Sequence, residues 1–228
     1  MHKPQTPMPD SIRVLIVDDH PAMREGLGLW IHRQKDMKLV GEAGDANSAM
    51  NLLYQTEPNV VVVDLSLKES DGMDLIRRIM AQNSNANVLV CSMQPEIPYA
   101  KRSMKLGAKG SIGKSSTSDE IIGAIRTVAQ GHRFTSQSLR DRLVNEMFSP
   151  GKPKNSQWND IDDLSDRELQ VFEHIGRGLT IIEIAQRLNL SSHTVETYRQ
   201  RIRKKLNFRT ISELASKAAQ WVLEHDSI

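Results

Sequence analysis

The chain has 228 residues, of which 39% are hydrophobic and 25% are charged, and its formal net charge is +2 at pH 7. This is the composition of an ordinary soluble globular protein, and the length allows two modest domains with separate cores. No run approaches the roughly 20 apolar residues that cross a bilayer, and the single Cys91 excludes an internal disulfide.

The first eleven residues, MHKPQTPMPDS, contain three prolines and no apolar segment. We therefore expect residues 1–11 to form a flexible tail and not a signal peptide. Together with the single cysteine, which suits a reducing compartment, this predicts a cytoplasmic protein without a membrane partner.

Residues 12–131 alternate between short aliphatic runs and segments of helical period. The aliphatic runs predict five strands, at residues 12–17, 39–43, 60–63, 88–90 and 110–112. The helical segments lie at residues 21–32, 46–55, 73–81, 97–106 and 118–129. Because near-continuous Val, Ile and Leu runs are typical of strands covered on both faces, this alternation predicts a doubly wound α/β domain with a five-stranded parallel sheet.

Residues 132–163 are predicted to connect this domain to a second one. They begin with a further helical stretch, SQSLRDRLVNEMF, and lose all periodicity at about 149–163, where Pro, Gly, Asn and Ser accumulate. Such a composition is typical of a linker.

Residues 164–228 are helical by pattern throughout. Three helix starts carry a capping box, in which a hydroxyl caps the third amide and a glutamate reaches back to the N-cap amide. These boxes are Ser165-x-x-Glu168, Thr180-x-x-Glu183 and Thr210-x-x-Glu213. A fourth helix is predicted to start at Ser191, which gives a small all-α domain of four short helices.

Polar residues follow four of the predicted strands. Asp18 and Asp19 follow the first strand, Asp64 follows the third, Ser92 the fourth and Lys114 the fifth. Because ligand sites in open parallel sheets lie beyond the carboxyl ends of the strands, we expect these five side chains to meet at one edge of the sheet.

Three carboxylates at one edge repel one another and require a cation. Oxygen ligands with positions left for water and phosphate suit Mg²⁺, and the sequence contains no His/Cys set suitable for zinc. Asp64, directly after the run VVVV, is the candidate nucleophile for a phosphoryl group. Lys114 would neutralise the phosphoryl oxygens, and the Ser92 hydroxyl would donate a hydrogen bond to them.

Each of these residues also has a purely structural interpretation. Asp18 and Asp19 can cap the first helix, and Asp64 can belong to a turn. Ser92 and Lys114, taken singly, can be residues without a function. The functional interpretation therefore depends on the coincidence of all five at successive strand ends.

Several segments together resemble the receiver domain of two-component response regulators, over about 120 residues. The resemblance is carried by LIVDDHP, by VVVVDLSL with Gly72 eight residues beyond Asp64, by Ser92 and by Lys114. It implies a flavodoxin-like fold and phosphorylation of Asp64 by a sensor histidine kinase.

The same resemblance implies a metal site. It assigns Mg²⁺ to the side chains of Asp19 and Asp64 and to the carbonyl of Ser66, with Asp18 acting partly through water. All four residues are therefore candidate metal ligands.

The sequence departs from this family at the switch. The family usually has an aromatic residue where Ser111 stands, and that ring rotates inward as the hydroxyl residue moves toward the phosphate. The common proline four residues after the acceptor is Lys68 here. We therefore expect the phosphorylation chemistry to be retained and the read-out through Ser111 to differ.

The surplus of positive charge lies at the C-terminal end of the chain. From Leu164 onward the sequence has ten Lys and Arg residues against eight Asp and Glu residues. Five of the basic residues lie in one short segment, namely Arg199, Arg201, Arg203, Lys204 and Lys205. A compact basic patch is typical of nucleic-acid binding, although a solvated helix face has the same composition.

The predicted helix at about 192–206 has an apolar side and a basic side, as a helix in the major groove requires. Val195, Ile202 and Leu206 recur at helical spacing and should be buried. The candidate DNA contacts are His193, Glu196, Thr197, Arg199, Gln200, Arg203 and Lys204. Basic residues, Lys205 included, would contact phosphates, and Thr197 and Gln200 would reach base edges. Glu196 would accept from a cytosine amino group or be a surface acid.

The C-terminal segment is similar to the helix-turn-helix of the LuxR/FixJ type, and together the two matches indicate a response regulator of the NarL/FixJ family. The residues that carry the second match are Leu164-Ser165, Arg167-Glu168, Gly178-Leu179, Glu183-Ile184-Ala185, Leu188, Ser191, Thr194-Val195 and Lys205-Leu206. The family often has a basic residue where Glu196 stands, so the target sequence is left open.

The resemblance also implies that the last helix, near 211–223, pairs two copies on DNA. Leu214, Ala218 and Trp221 are candidate interface residues, with packing inside one monomer as the alternative.

These features predict a transcriptional regulator that binds double-stranded DNA as a homodimer when a histidine kinase phosphorylates Asp64. Three alternatives stay open at this point. The first is a phosphatase with an aspartyl-phosphate intermediate, which Ser66 disfavours because that position would carry the general acid. The second is a DNA binder that needs no phosphorylation and uses its receiver for dimerisation, and the third is an adapter that binds protein instead of DNA.

Overall fold

The computed structural model describes residues 11–67, 71–93, 96–137, 140–141, 161 and 163–225. The chain divides into two compact units, Met1–Arg140 and Asp141–Ile228. The predicted boundaries at residues 131 and 163 remain predictions. Almost all of the predicted tail at 1–11 and of the predicted linker at 149–163 lies outside the described residues.

The first unit alternates strands and helices as the sequence predicts. Its strands are β1 (Ile12–Val17), β2 (Met37–Ala43), β3 (Val60–Val63), β4 (Val88–Ser92), β5 (Gly110–Gly113) and β6 (Phe134–Thr135). Its helices are α1 (Pro21–His32), α2 (Ala46–Thr56), α3 (Gly72–Gln82), α4 (Glu96–Lys105) and α5 (Ser118–Ala129). The doubly wound α/β prediction is confirmed, and most predicted bounds agree to within two residues.

All described strand pairs are parallel, in the order β2-β1-β3-β4-β5-β6. Every residue of β3 and β4 is buried, which agrees with the aliphatic run Val60–Val63 of β3 and with Val88, Leu89 and Val90 at the start of β4. One core layer joins Val14, Ile16 and Val62 to residues of α1 and α5. The faces of the sheet are therefore covered, and ligands can approach it at the carboxyl ends of the strands.

The prediction of five strands is wrong by one. Phe134 and Thr135 form β6, which pairs in parallel with Gly110 and Ser111 of β5. Two residues are too few to show a period, so the pattern did not reveal this strand. Arg140 then donates its amide to the Ser136 carbonyl at 3.1 Å, and most of the predicted helix beyond it lies outside the described residues.

The second unit consists, in its described residues, of the four predicted helices. They are α6 (Asp166–Gly176), α7 (Ile181–Leu188), α8 (Ser192–Lys205) and α9 (Ile211–His225). Ser165 and Thr180 form complete capping boxes with Glu168 and Glu183, and Ser191 caps α8 by accepting from the Thr194 amide.

The third predicted capping box differs from the expectation. The Thr210 hydroxyl accepts from the Glu213 amide at 3.1 Å, but the Glu213 carboxylate accepts from the Arg209 amide at 2.8 Å. The glutamate therefore reaches one residue further back than the N-cap amide that the motif predicts.

Helix α9 packs against α6 and completes the core of this unit. Leu214, Ala218 and Trp221 are at most 2% exposed, and the Trp221 ring meets Phe172 edge-to-face with centroids 5.8 Å apart. These three residues are core residues, so their assignment to a dimer interface is wrong and the alternative of packing within one monomer is confirmed.

No helix in the described part of the chain is both long enough and apolar enough to cross a membrane.

Candidate functional site

Backbone hydrogen bonds hold the predicted acidic residues at one edge of the sheet. The Asp18 amide donates to the Ala43 carbonyl at 3.0 Å, and the Asp64 amide donates to the Val17 carbonyl at 2.8 Å. On the other side of Asp64, the Lys114 amide donates to the Ser92 carbonyl at 3.0 Å. Each residue just beyond a strand is thus fixed to the strand beside it.

Lys114 joins two of the carboxylates. Its Nζ lies 2.7 Å from Asp64 Oδ2 and 2.6 Å from Asp18 Oδ2, and all three side chains are at most 6% exposed. One ammonium group therefore neutralises part of the charge of two buried carboxylates.

Burial and this pairing act against each other on the pKa values. Burial raises the pKa of Asp64 above its ordinary value and outweighs the opposing attraction of Lys114. For Lys114, burial alone lowers the pKa, but Asp64 and Asp18 together raise it above its ordinary value. Lys114 consequently carries its positive charge in the resting site.

Asp19 retains an unsatisfied acceptor at this edge. It is 9% exposed, and its Oδ1 has no hydrogen-bond partner among the described residues. His20 Nδ1 lies 2.7 Å from this oxygen, but the two atoms are not oriented for a hydrogen bond. The hydrogen-bond contact of His20 Nδ1 is instead with Asp18 Oδ1, at 3.3 Å. A buried carboxylate oxygen without a donor is suited to a cation.

Sequence reasoning did not include His20. One ligand atom each from Asp18, Asp19, His20 and Asp64 lies within 4.8 Å of the other three. The His20 side chain is 60% exposed, whereas the three aspartates are buried. The position of His20 directly after Asp18 and Asp19 is the one sequence feature that points to this site. Adjacency in sequence does not show, however, whether the imidazole ring is oriented toward the carboxylates.

The donor set fits a hard divalent cation. Three carboxylates converge, one with an orphaned oxygen, and Mg²⁺ prefers carboxylate oxygens with remaining positions left to water or phosphate. Ser66, the fourth candidate ligand, is exposed, and its amide donates to Asp64 Oδ1 at 3.2 Å.

The two remaining candidates of this site lie in the neighbouring strands. Ser92 ends β4 and is 5% exposed, and Ser111 in β5 is 4% exposed. Ser111 is paired with Val90, two residues before Ser92, and so lies inside the sheet and not at its edge. A small hydroxyl therefore occupies a buried position in place of the ring that the resemblance predicts there.

The second candidate site is the surface of α8. Asn189, with a φ of 51°, turns the chain after α7, and the Leu190 amide donates to the Ala185 carbonyl at 2.8 Å. Val195 and Ile202 are fully buried, so the helix packs by the stripe that the sequence predicts. The helix-turn-helix geometry thus leaves the opposite side of α8 accessible.

The predicted DNA contacts differ in how far they are already engaged. His193 and Lys204 are exposed. The Thr197 hydroxyl donates to the His193 carbonyl at 3.0 Å, and Arg203 Nη1 donates to the Arg209 carbonyl at 3.1 Å.

Glu196 contacts two further candidates. Its Oε2 lies 2.5 Å from Arg199 Nη2, and its Oε1 accepts from Gln200 Nε2 at 2.9 Å. Three of the predicted contacts thus form one connected group on α8.

Lys205 has a structural partner. Its Nζ lies 2.7 Å from Glu168 Oε2 and donates to the Asp163 carbonyl at 3.1 Å. Burial raises the pKa of Glu168, but the hydrogen bonds from Lys205 and Ser165 outweigh it and hold that pKa below its ordinary value. This lysine ties the end of α8 to the start of α6, a role that the basic run alone did not reveal.

Comparisons with known proteins cover both units. The family of the response regulator receiver domain matches residues 14–126, and the luxR family of bacterial regulatory proteins matches residues 162–218. Response regulator UvrY of Escherichia coli (strain K12) is 31% identical over 207 residues, which is 91% of this chain and 93% of that protein. Oxygen regulatory protein NreC of Staphylococcus carnosus (strain TM300) is 31% identical over 209 residues, covering 91% and 96%.

A solved structure supports the same likeness. The crystal structure of a LuxR-family two-component response regulator from Aurantimonas sp. SI85-9A1 has 33% identity and a TM-score of 0.57. The match covers 60% of this chain and 98% of that one.

Proposed function

Because this chain belongs to the NarL/FixJ family of two-component response regulators, with a receiver domain and a LuxR-type DNA-binding domain, we propose that it is switched by phosphorylation of Asp64 by a sensor histidine kinase. Its family is one of transcriptional regulators and not of classical enzymes. As a transcriptional regulator that binds DNA, it would act in the cytoplasm.

The observation that carries this proposal is the arrangement around Asp64. This carboxylate is buried at the open edge of the sheet, 2.7 Å from Lys114 and beside Asp18 and Asp19. A nucleophile that faces a fixed cation at a strand end suits attack on an anionic phosphoryl group.

In the proposed transfer, an Asp64 carboxylate oxygen attacks the phosphorus of a phosphohistidine whose other ring nitrogen carries a proton. The new O–P bond forms as the P–N bond breaks, and the electron pair stays on the nitrogen of the imidazole, which leaves as a neutral ring. Lys114 then turns from the carboxylate to a phosphoryl oxygen, and the Ser92 hydroxyl donates to another. Asp18, Asp19, Asp64 and Ser66 would hold Mg²⁺, which neutralises phosphoryl charge when it is bound.

The phosphoryl group would bias a two-state equilibrium of the receiver and so pair two DNA-binding units. Two copies of α8 would read half-sites about 34 Å apart, one turn of the duplex. Exposed His193 and Lys204 on that helix support contact with the groove.

A second candidate is DNA binding without control by phosphorylation, with the receiver serving for dimerisation. Buried Ser111 favours it, because a serine has no ring that can move between two positions. The two candidate functions make opposite predictions about whether replacement of Asp64 changes the response of DNA binding to acetyl phosphate.

The test compares wild type with Asp64→Asn, each with and without acetyl phosphate and Mg²⁺, in a salt-dependent DNA-binding titration. We expect acetyl phosphate to tighten binding by wild type by about tenfold, as a coupling of about 1.4 kcal/mol gives, and to leave Asp64→Asn unchanged. Asp74→Asn is the matched control, since Asp74 is an exposed acid in the first turn of α3, and it should respond like wild type.

Each alternative has a distinct result. Equal binding by all four samples would favour the DNA binder without phosphorylation. Absence of salt-dependent DNA binding would favour the adapter, and steady turnover of phosphomonoesters would favour the phosphatase.

A further inference from the structure

The accessible side of α8 contains one acid among basic and polar groups. His193, Thr197, Gln200 and Lys204 follow one another at spacings of four and three residues and so lie along one face of the helix. Glu196 lies beside that face, one turn before Gln200, and is 37% exposed. An acid in this place faces the same phosphates that the neighbouring cations would attract.

Glu196 uses both of its carboxylate oxygens within the helix. Oε2 lies 2.5 Å from Arg199 Nη2, and Oε1 accepts from Gln200 Nε2 at 2.9 Å. These hydrogen bonds, from Gln200 first and from Arg199 second, hold the pKa of Glu196 below its ordinary value. The acid is therefore ionised while it holds an arginine on one side and a glutamine on the other.

The contact with Gln200 affects base reading. A free glutamine samples many rotamers, and a base contact must order it. Gln200 is held through one Nε2 hydrogen, while its Oε1 and its second Nε2 hydrogen keep the donor and acceptor that an adenine edge needs. Holding the side chain before DNA arrives lowers the entropic cost of that contact.

The contact with Arg199 affects phosphate binding. The Arg199 side chain is 23% exposed, one turn beyond fully buried Val195, and its charge is compensated by Glu196. Each uncompensated cation that meets a phosphate adds affinity for any sequence. Glu196 thus removes affinity that carries no sequence information.

We infer that Glu196 is a specificity-determining positioning residue, which orders Gln200 for a base edge and withholds Arg199 from the phosphates. This rests on the proposed function, since it presumes that α8 enters DNA. It predicts that loss of the acid makes binding tighter and less selective.

The test uses the full-length protein with acetyl phosphate and Mg²⁺. Duplexes with a randomised centre are selected by wild type, and affinities are measured for the enriched duplex and for a scrambled one over a range of salt. Glu196→Ala should bind the scrambled duplex more tightly and steepen the slope of log K against log salt by about 0.9 per subunit. The ratio of the two affinities should fall by about tenfold, the discrimination of one base contact.

Two further variants separate the parts of the inference. Glu196→Gln removes the charge but keeps an acceptor for Gln200, so it should steepen the slope and retain most of the ratio. Glu224→Gln is the matched control, because the Glu224 carboxylate accepts from Gln220 four residues away on α9 at 3.0 Å, and it should behave like wild type.

The inference is overturned if Glu196→Ala keeps both the wild-type slope and the wild-type ratio. A new preferred base at one position with an unchanged slope would also overturn it, because Glu196 would then read that base directly. Failure of the wild type to bind any duplex would instead refute DNA binding itself, and this inference with it.

Discussion

His174 on α6 is a histidine without a hydrogen-bond partner for its buried Nδ1 among the described residues. Burial, with Arg187 and Arg177 nearby, lowers its pKa to about 4. The ring is therefore neutral in the folded protein at a pH where the same residue in an unfolded chain, with a pKa of about 6.5, is protonated. The unfolded state binds the additional proton between these two values.

Stability should consequently fall as the pH drops from about 6.5 to about 4. The contribution of His174 to the free energy of unfolding should change by at most about 1.4 kcal/mol per pH unit in this window. Urea unfolding of wild type and of His174→Leu at a series of pH values measures it. Between pH 4 and 6.5 the free energy of unfolding of His174→Leu should change less with pH than that of wild type. Above pH 7 the difference in free energy of unfolding between the two proteins should be constant. Equal slopes between pH 4 and 6.5 would contradict the assignment to His174.

Single residues also mark the limit of prediction from sequence. The placement of Asp18, Asp64 and Lys114 could be predicted because each follows a strand, and the ends of parallel strands share an edge. The partner of Lys205 could not, since its distance of 2.7 Å to Glu168 joins residues 37 positions apart. Side-chain rotamers and long-range contacts are tertiary properties, which local spacing does not encode.

At the scale of elements, two close contacts depend on a missing side chain. A Cβ at Gly72, the first residue of α3, would lie 2.3 Å from the Asp64 carbonyl oxygen. A Cβ at Gly176, the last residue of α6, would lie 2.4 Å from the Ala218 carbonyl oxygen of α9. In both places a backbone atom occupies the position that a larger residue would need.

Gly176→Ala should therefore lower the free energy of unfolding by about 1–3 kcal/mol, since α6 and α9 must move apart. Chemical denaturation followed by circular dichroism measures the change. Gly123→Ala on α5 is the matched control, because a Cβ there would meet no atom within 4 Å. It should stabilise the protein by about 0.5–1 kcal/mol through helix propensity. Destabilisation of the same size by both variants would contradict the role given to the contact.

Elements themselves were predictable wherever they were long. Nine helices were predicted in the described part of the chain and found there, because eight or more residues show a period and most carry a cap. The strand β6 has only two residues, which are too few to show a hydrophobic period. Its place follows from the pairing of Phe134 with Gly110, which only the assembled sheet defines.

At the scale of the whole molecule, each of the two units has a core of its own. The metal candidates Asp18, Asp19 and Asp64 belong entirely to the first unit, and Phe172 and Trp221 belong to the second. The sequence predicts this division through its change from strand–helix alternation to helices alone. We therefore expect a ligand of these aspartates to stabilise the first unit, which contains them.

Addition of MgCl₂ should raise the midpoint of the calorimetric unfolding transition of the first unit. A concentration tenfold above the Kd adds about 1.4 kcal/mol to the unit that binds the ion. Asp64→Asn should reduce this shift, since it removes one of the three converging carboxylates. An unchanged midpoint of this transition at saturating MgCl₂ would contradict the metal site.

The short strand β6 also affects whether this protein self-associates through the edge of its sheet. By pairing with Gly110 and Ser111, Phe134 and Thr135 cover part of the edge of β5, whose amide and carbonyl groups would otherwise be open to another chain. A fragment ended at the sequence-predicted boundary, residue 131, would lack this cover. Such a fragment should self-associate through its exposed edge strand, whereas one that ends at residue 140 should stay monomeric in analytical ultracentrifugation.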